Sequence, residues 1–420
     1  MNNALLPAIL LMTGLIPGTY FYPIFWLVLA YLISVRRGRI PKAALAPIAP
    51  LGLVIVAGLV FVDIDTIYDT LRDIWYFSKI FVISLTGLYL GISFDTHPRL
   101  LRRMATVAVI LAVLNVGYAF SNKDVEGSRH LAYFSVFIIP FIWRHRYEYK
   151  YSSSTLRVVM IFAVMLMLVL SGSRAGILTF TISLLAAFGA FKKTSNSLLA
   201  FGLAVALLFI IWPLLPQYDA ANITFLGKIQ NSINELSFET GAMKLDMYVN
   251  WRGFEAYRAY ETWLNASLSE QVFGLGFGTH IDLGQIVAYG DGEVDSLPSV
   301  HNAYFTLLVK TGVVGIAAMV YFLLLPFRIP FDRCRPHVVV LSQISRGSAI
   351  VLLLTMALIA GPLNKQSMDG VLLMWAWSSG ALMRVRHRAH LQTRSDRATT
   401  LASCSVVGST HYRIIMQDNG

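Results

Sequence analysis

Two stretches of the chain set polar, ionisable side chains into apolar surroundings, and both suit work on an anion. In LVLSGSRAGILTF, Arg174 stands in a short turn flanked by Ser171, Gly172, Ser173, Ala175 and Gly176. Small neighbours let another backbone come close, and a guanidinium offers a rigid five-donor fork to phosphate oxygens. The same place also suits an arginine that snorkels to the membrane rim and serves topology alone. In VHNAYFTLLVKTGVVG, His301 and Asn302 open an apolar helix. A helix N-terminus attracts anions through its unpaired N–H groups and dipole, and a neutral histidine meets the first requirement of a general base. The alternative is an interface histidine followed by an Asn cap.

Further charges follow a helical spacing. In MKLDMYVNWRGFEAYRAYETWLNASL, residues Met247, Trp251, Phe254, Tyr257 and Leu264 form an apolar stripe, and Arg252, Glu255, Arg258 and Glu261 fall three apart. The expectation is an amphipathic helix with a mutually ion-paired charged face, lying on the membrane surface with its aromatics at headgroup depth. Lys79 and Lys310 fall inside apolar segments, where an ammonium is expensive unless it pairs or lines a wet cavity. Two patterns are discounted. GLGFGTH, with Gly274, Gly276 and Gly278, lacks the strand and helix of a dinucleotide fingerprint and reads as a flexible turn. DGEVD, with Asp291, Glu293 and Asp295, lacks the downstream acid of a hard-cation loop and reads as solvated. No metal site and no cofactor are expected.

The elements that must position these groups are membrane helices. Of 420 residues 56% are hydrophobic and 14% charged, against roughly 25% charged in soluble domains, which excludes an ordinary soluble fold. Segments long enough for a bilayer fall at 3–16, 18–35, 43–62, 75–93, 104–120, 131–143, 156–172, 176–191, 197–215, 303–326, 347–363 and 370–384. The fold class expected is therefore an all-α polytopic membrane protein of about twelve helices. The N-terminus has no basic region before its apolar run and reads as the first helix, not as a cleaved signal.

Basic residues gather on alternate loops, including Arg36, Arg37, Arg39, Arg102, Arg103, Arg144, Lys192, Lys193 and Arg328. That side reads as cytoplasmic, with both termini there. The net charge of +11 is thus a topological asymmetry and not a nucleic-acid surface; the opposite face is acidic. The organisation expected is helices over 1–215, a large non-cytoplasmic loop over 216–302, helices over 303–385 and a basic tail over 386–420. Cys334 and Cys404 lie outside the large loop, so disulfides do not brace it.

The SGSRAG turn, the arginine some twenty residues before GLGFG, and the helix begun by HNAYFTLLVKTG after one large loop together resemble the bacterial O-antigen ligase and polymerase family. The matching motifs run from about Leu170 to Gly315; a departure is Phe305, four after the histidine, where the family often has Leu. The resemblance implies a GT-C-like membrane fold in the bacterial inner membrane and an inverting, metal-independent glycosyltransferase acting at the periplasmic face. Its donor would be a glycan on undecaprenyl diphosphate, and its acceptor a hydroxyl of lipid A–core oligosaccharide for a ligase, or of another lipid-linked repeat for a polymerase. Family roles fall on Arg174 and Arg252 as diphosphate clamps and on His301 as the group that orients or deprotonates the acceptor. Arg258 is an alternative to Arg252, and Lys79, Asn302 and Lys310 are expected to bind substrate. A secondary transporter or flippase is the competing class. Against it, the expected helix cores hold no Asp or Glu, and the notable residues gather at one face instead of the midplane.

Overall fold

The computed structural model describes residues 2–15, 18–35, 41–62, 66–93, 98–122, 132–144, 158, 161–166, 168, 173–191, 251–289, 292–330, 336–359, 361–363, 368–389 and 391. Helices α1 (Asn2–Leu15), α2 (Gly18–Val35), α3 (Lys42–Val60), α4 (Ile67–Ser93), α5 (Pro98–Asn122), α6 (Ala132–Arg144) and α7 (Arg174–Ala187) come first. A second group follows, α8 (Trp251–Leu264), α9 (Leu268–Phe273), β1 (Ile281–Tyr289) and β2 (Gly292–Leu297), and α10 (Ala303–Leu323), α11 (Pro336–Ile359) and α12 over 369–389 close the fold. Among the described residues five helical stretches are long and apolar enough to cross a membrane: Lys42–Val60, Ile67–Ser93, Leu100–Gly117, Ala303–Leu323 and Pro336–Leu358. Shorter apolar helices accompany them, as in a polytopic membrane protein. The span expected over 197–215 lies outside the described residues, as does part of that over 156–172.

The outward faces are apolar. Leu53, Val56, Leu59 and Val60 on α3 and Val113 and Leu114 on α5 are all exposed. In water such a surface would drive association; in a bilayer it meets acyl chains. The interior is organised around α12, buried at every position from 368 to 382. A helix enclosed all round is central to its bundle. Gly87 and Gly91 of α4 face Ala376, Trp377 and Gly380 of α12 so closely that an added Cβ would collide with that helix, the small-residue contact that lets membrane helices approach. The Trp375 indole N–H donates to the Leu323 carbonyl at 3.1 Å, tying α12 to α10.

Two expectations change here. The fold is not all-α, because β1 and β2 pair antiparallel, Ile281 opposite Leu297 and Tyr289 opposite Gly292. The apolar stripe of α8 is divided: Trp251 and Phe254 pack with Leu283, Val287, Val294 and Leu297 of the hairpin, so there protein takes the place assigned to lipid headgroups, while Leu264 is exposed. Met247 lies outside the described residues.

Candidate functional site

The residues on both sides of α10's start form the site. Asn302 caps the helix, its Oδ1 accepting from the Tyr304 backbone N–H at 3.0 Å. This satisfies one of the helix's free donors and holds His301 just outside the first turn. His301 does not stand alone. Glu255 of α8 accepts through Oε2 from the His301 backbone N–H at 3.1 Å and lies 2.7 Å from Nδ1 of the ring. The carboxylate side chain is 2% exposed and the imidazole 44%.

Glu255 is the residue that sequence reasoning missed. Spacing alone placed it on a mutually ion-paired charged face; Arg258 and Glu261 do pair along that face, whereas Glu255 turns to His301. The available signal was the run Gly253, Ala256 and Ala259, small residues at three-residue spacing that are all buried. They mark the side of α8 that packs inward beside α10. Arg252 precedes Glu255 by three residues, a neighbouring place on the helix surface, and is half-buried. Arg258 is committed elsewhere: its Nε donates to the Asp282 carbonyl at 3.0 Å, and its Nη1 meets Glu261. Arg174 begins α7 behind Ser173, whose Oγ accepts from the Gly176 N–H at 3.1 Å and lies 2.8 Å from the Tyr133 hydroxyl. Its side chain lies outside the described residues.

The loop between α9 and β1 carries the hairpin toward His301, and it is fixed by several hydrogen bonds. Gly274, Gly276 and Gly278 have φ of 87°, 97° and 89°, values that favour glycine. Leu275 N–H donates to Val309 O and Phe277 N–H to Gly58 O, each at 2.7 Å. The first bond explains a break in α10. Gly312 has φ 64° and ψ −166° inside that helix, and Leu275 supplies a partner to a carbonyl near the interruption, as membrane helices require. Phe277 is buried against Phe77, with ring centroids 4.8 Å apart. The stretch read as a flexible turn is therefore a wedge between α3, α4 and α10. Below it, α9 is held by a capping box in which Ser267 and Glu270 satisfy each other; these hydrogen bonds keep the Glu270 carboxyl below the usual carboxylate range.

Both intramembrane lysines are paired with aspartates. Lys310 is 0% exposed and donates to Asp73 Oδ2 at 2.6 Å and to the Thr279 carbonyl. Asp73 Oδ2 also accepts from the Gly278 N–H at 2.9 Å. Lys79 lies 3.1 Å from Asp369 Oδ1 and over the Tyr22 ring. Neither lysine sits beside the His301–Glu255 pair in these contacts, and the expectation that the helices hold no acids is corrected: α4 extends to Ile67 and α12 begins at 369. Among the described residues no group of three or more His, Cys, Asp or Glu is placed to hold a metal ion; Glu293 and Asp295 sit on β2, and Asp291 lies outside the described residues.

The fold and site thus define a multi-pass membrane protein with a histidine–carboxylate pair at a helix N-terminus. Residues 158–320 match the family model described as O-antigen ligase, so over this segment the chain is similar to that family. The match runs from before α7 into α10 and contains Arg174, Arg252, Arg258, Glu255 and His301. No curated protein matches the chain.

Proposed function

We propose that the protein is an O-antigen ligase at the periplasmic face of the bacterial inner membrane, transferring a glycan from undecaprenyl diphosphate to a sugar hydroxyl of lipid A–core oligosaccharide. The observation that carries the reading is His301, half-exposed and anchored at the start of α10 within the family-matched segment. In this reading the acceptor hydroxyl gives its proton to His301 while its oxygen attacks the anomeric carbon from the face opposite the diphosphate, inverting that centre. The bond to the diphosphate oxygen breaks and its electron pair leaves with the lipid. Negative charge grows on that leaving group, so arginines placed beforehand stabilise the transition state more than the ground state. Arg174 and Arg252 take that role. Diphosphate is already a good leaving group, so the mechanism calls for no metal. The polyprenyl tail stays among the lipid chains while the headgroup reaches the rim.

A polymerase would use the same donor chemistry with a lipid-linked repeat as acceptor. A lipopolysaccharide gel of a deletion strain separates the readings. Bare core with accumulated lipid-linked chains marks a ligase; core carrying one repeat unit marks a polymerase. A full ladder in that strain would sink both.

A further inference from the structure

We propose that Glu255 is the positioning residue of this site: it holds His301 with the proton on Nδ1 and leaves Nε2 as the proton acceptor. The inference rests on the reading of His301 given above and adds to it the group through which the histidine is set. One carboxylate oxygen takes both the backbone N–H and the ring of the same residue, at 3.1 and 2.7 Å. An ionised carboxylate only accepts hydrogen bonds, so a neutral ring facing it through Nδ1 carries its proton there. The other nitrogen then has a free lone pair, and none of the described residues binds it in the contacts of His301. Burial completes the argument. With its side chain 2% exposed, Glu255 has little room to swing away, and the hairpin and α10 hold α8 from two sides.

The proton balance is simple. Nε2 takes the hydroxyl proton as the new glycosidic bond forms and the bond to diphosphate breaks. The imidazolium so formed lies against the Glu255 carboxylate, which stabilises its charge without taking the proton. The proton then passes from Nε2 to water. A residue that merely braced the loop would need the backbone bond alone.

The test uses the full-length protein in vesicles, with an undecaprenyl-diphosphate-linked repeat unit as donor and core lipopolysaccharide from the deletion strain as acceptor. Glu255→Gln keeps the size of the side chain and removes its charge, and the amide can present a donor to Nδ1 and reverse the tautomer. The expected result is a fall in kcat of about 100-fold with KM for both substrates and the melting temperature near those of the parent. Glu255→Asp, which keeps the charge, restores part of the loss. A Glu255→Gln protein with parental kcat, or one whose loss lies in KM or in folded protein, overturns the proposal and leaves Glu255 as a structural brace. His301→Ala separates the two levels. Activity retained there overturns the reading of the histidine itself, whereas activity lost there and kept in Glu255→Gln overturns the role of Glu255 alone.

Discussion

Lys310 and Asp73 stand 237 positions apart in the chain and meet inside the protein at 2.6 Å. The pair joins α10 to α4, and through Gly278 N–H and Thr279 O it also grips the loop that leads to the hairpin. A lysine in an apolar helix is thus part of the frame that sets His301 in place.

That relationship predicts an asymmetric response to mutation. Asp73→Asn leaves a buried ammonium without its counter-charge, and breaking such a pair costs about 3 kcal/mol or more. The expected outcome is a lowered thermal unfolding temperature in detergent and early proteolysis in 274–300. The double substitution Asp73→Leu with Lys310→Met removes both charges and should recover much of that loss. A double variant as unstable as the sum of the singles would show that the hydrogen bonds to the loop, and not the charges, hold the frame.

The two arginines of α8 should separate cleanly. Arg258 is tied to Glu261 and the Asp282 carbonyl, so Arg258→Ala should loosen the hairpin and lower the unfolding temperature. Each hydrogen bond lost is worth about 1 kcal/mol. Arg252→Ala should depress transfer beyond any change in unfolding, with a loss of about 100-fold in kcat if the guanidinium meets the departing diphosphate. The paired measurements of melting and initial rate decide it; equal loss of stability in both variants would remove the case for Arg252 over Arg258.

How much of this was legible in the sequence depended on whether a signal was local. Asn302 before an apolar run reads directly as a cap, and α2 begins and ends where its hydrophobic block does. The hairpin also had a local signal: Ile281, Leu283 and Val287 turn inward while Asp282, Gly284 and Ile286 are exposed, with Gly-Asp in the sequence between the strands and a glycine opening the second. The acidic residues nearby drew attention to a loop instead. Pairings such as Glu255 with His301 or Lys79 with Asp369 were hidden for a different reason. Helical spacing relates only residues on one helix, and these partners come from helices far apart in the chain. The start of α4 was placed too late because Asp69, Arg72 and Asp73 resemble a solvated loop; in the fold they pair with one another, with His280 and with Lys310.

The contact between α4 and α12 gives a third prediction. A Cβ at Gly91 would meet the Trp377 carbonyl and the backbone around Gly380 and Ala381, groups that cannot move without shifting the central helix. Gly91→Leu should therefore prevent accumulation of folded protein, and Gly91→Ala should lower thermal stability by several degrees, since overpacking costs about 1–3 kcal/mol. Gly52 faces open space, so Gly52→Ala is the matched control and should leave unfolding unchanged. A tolerated Gly91→Leu would mean that the two helices do not lie this close.

Chelation supplies the last prediction. An inverting transfer to a sugar hydroxyl must neutralise a departing diphosphate, and enzymes meet that charge with either a divalent cation or fixed cationic side chains. A resident cation needs several hard oxygen ligands converging on one point. Among the described residues the acids near the site are already engaged or lie apart. Glu255 serves His301, Asp73 serves Lys310, Asp69 serves Arg72 and His280, and Asp295 accepts from Ser296. Transfer should therefore be unchanged after exhaustive treatment with EDTA, measured as the initial rate of glycan appearing on core lipopolysaccharide. Loss of activity restored by magnesium or calcium would transfer the charge-neutralising role from Arg174 and Arg252 to a cation and return attention to Glu293 and Asp295.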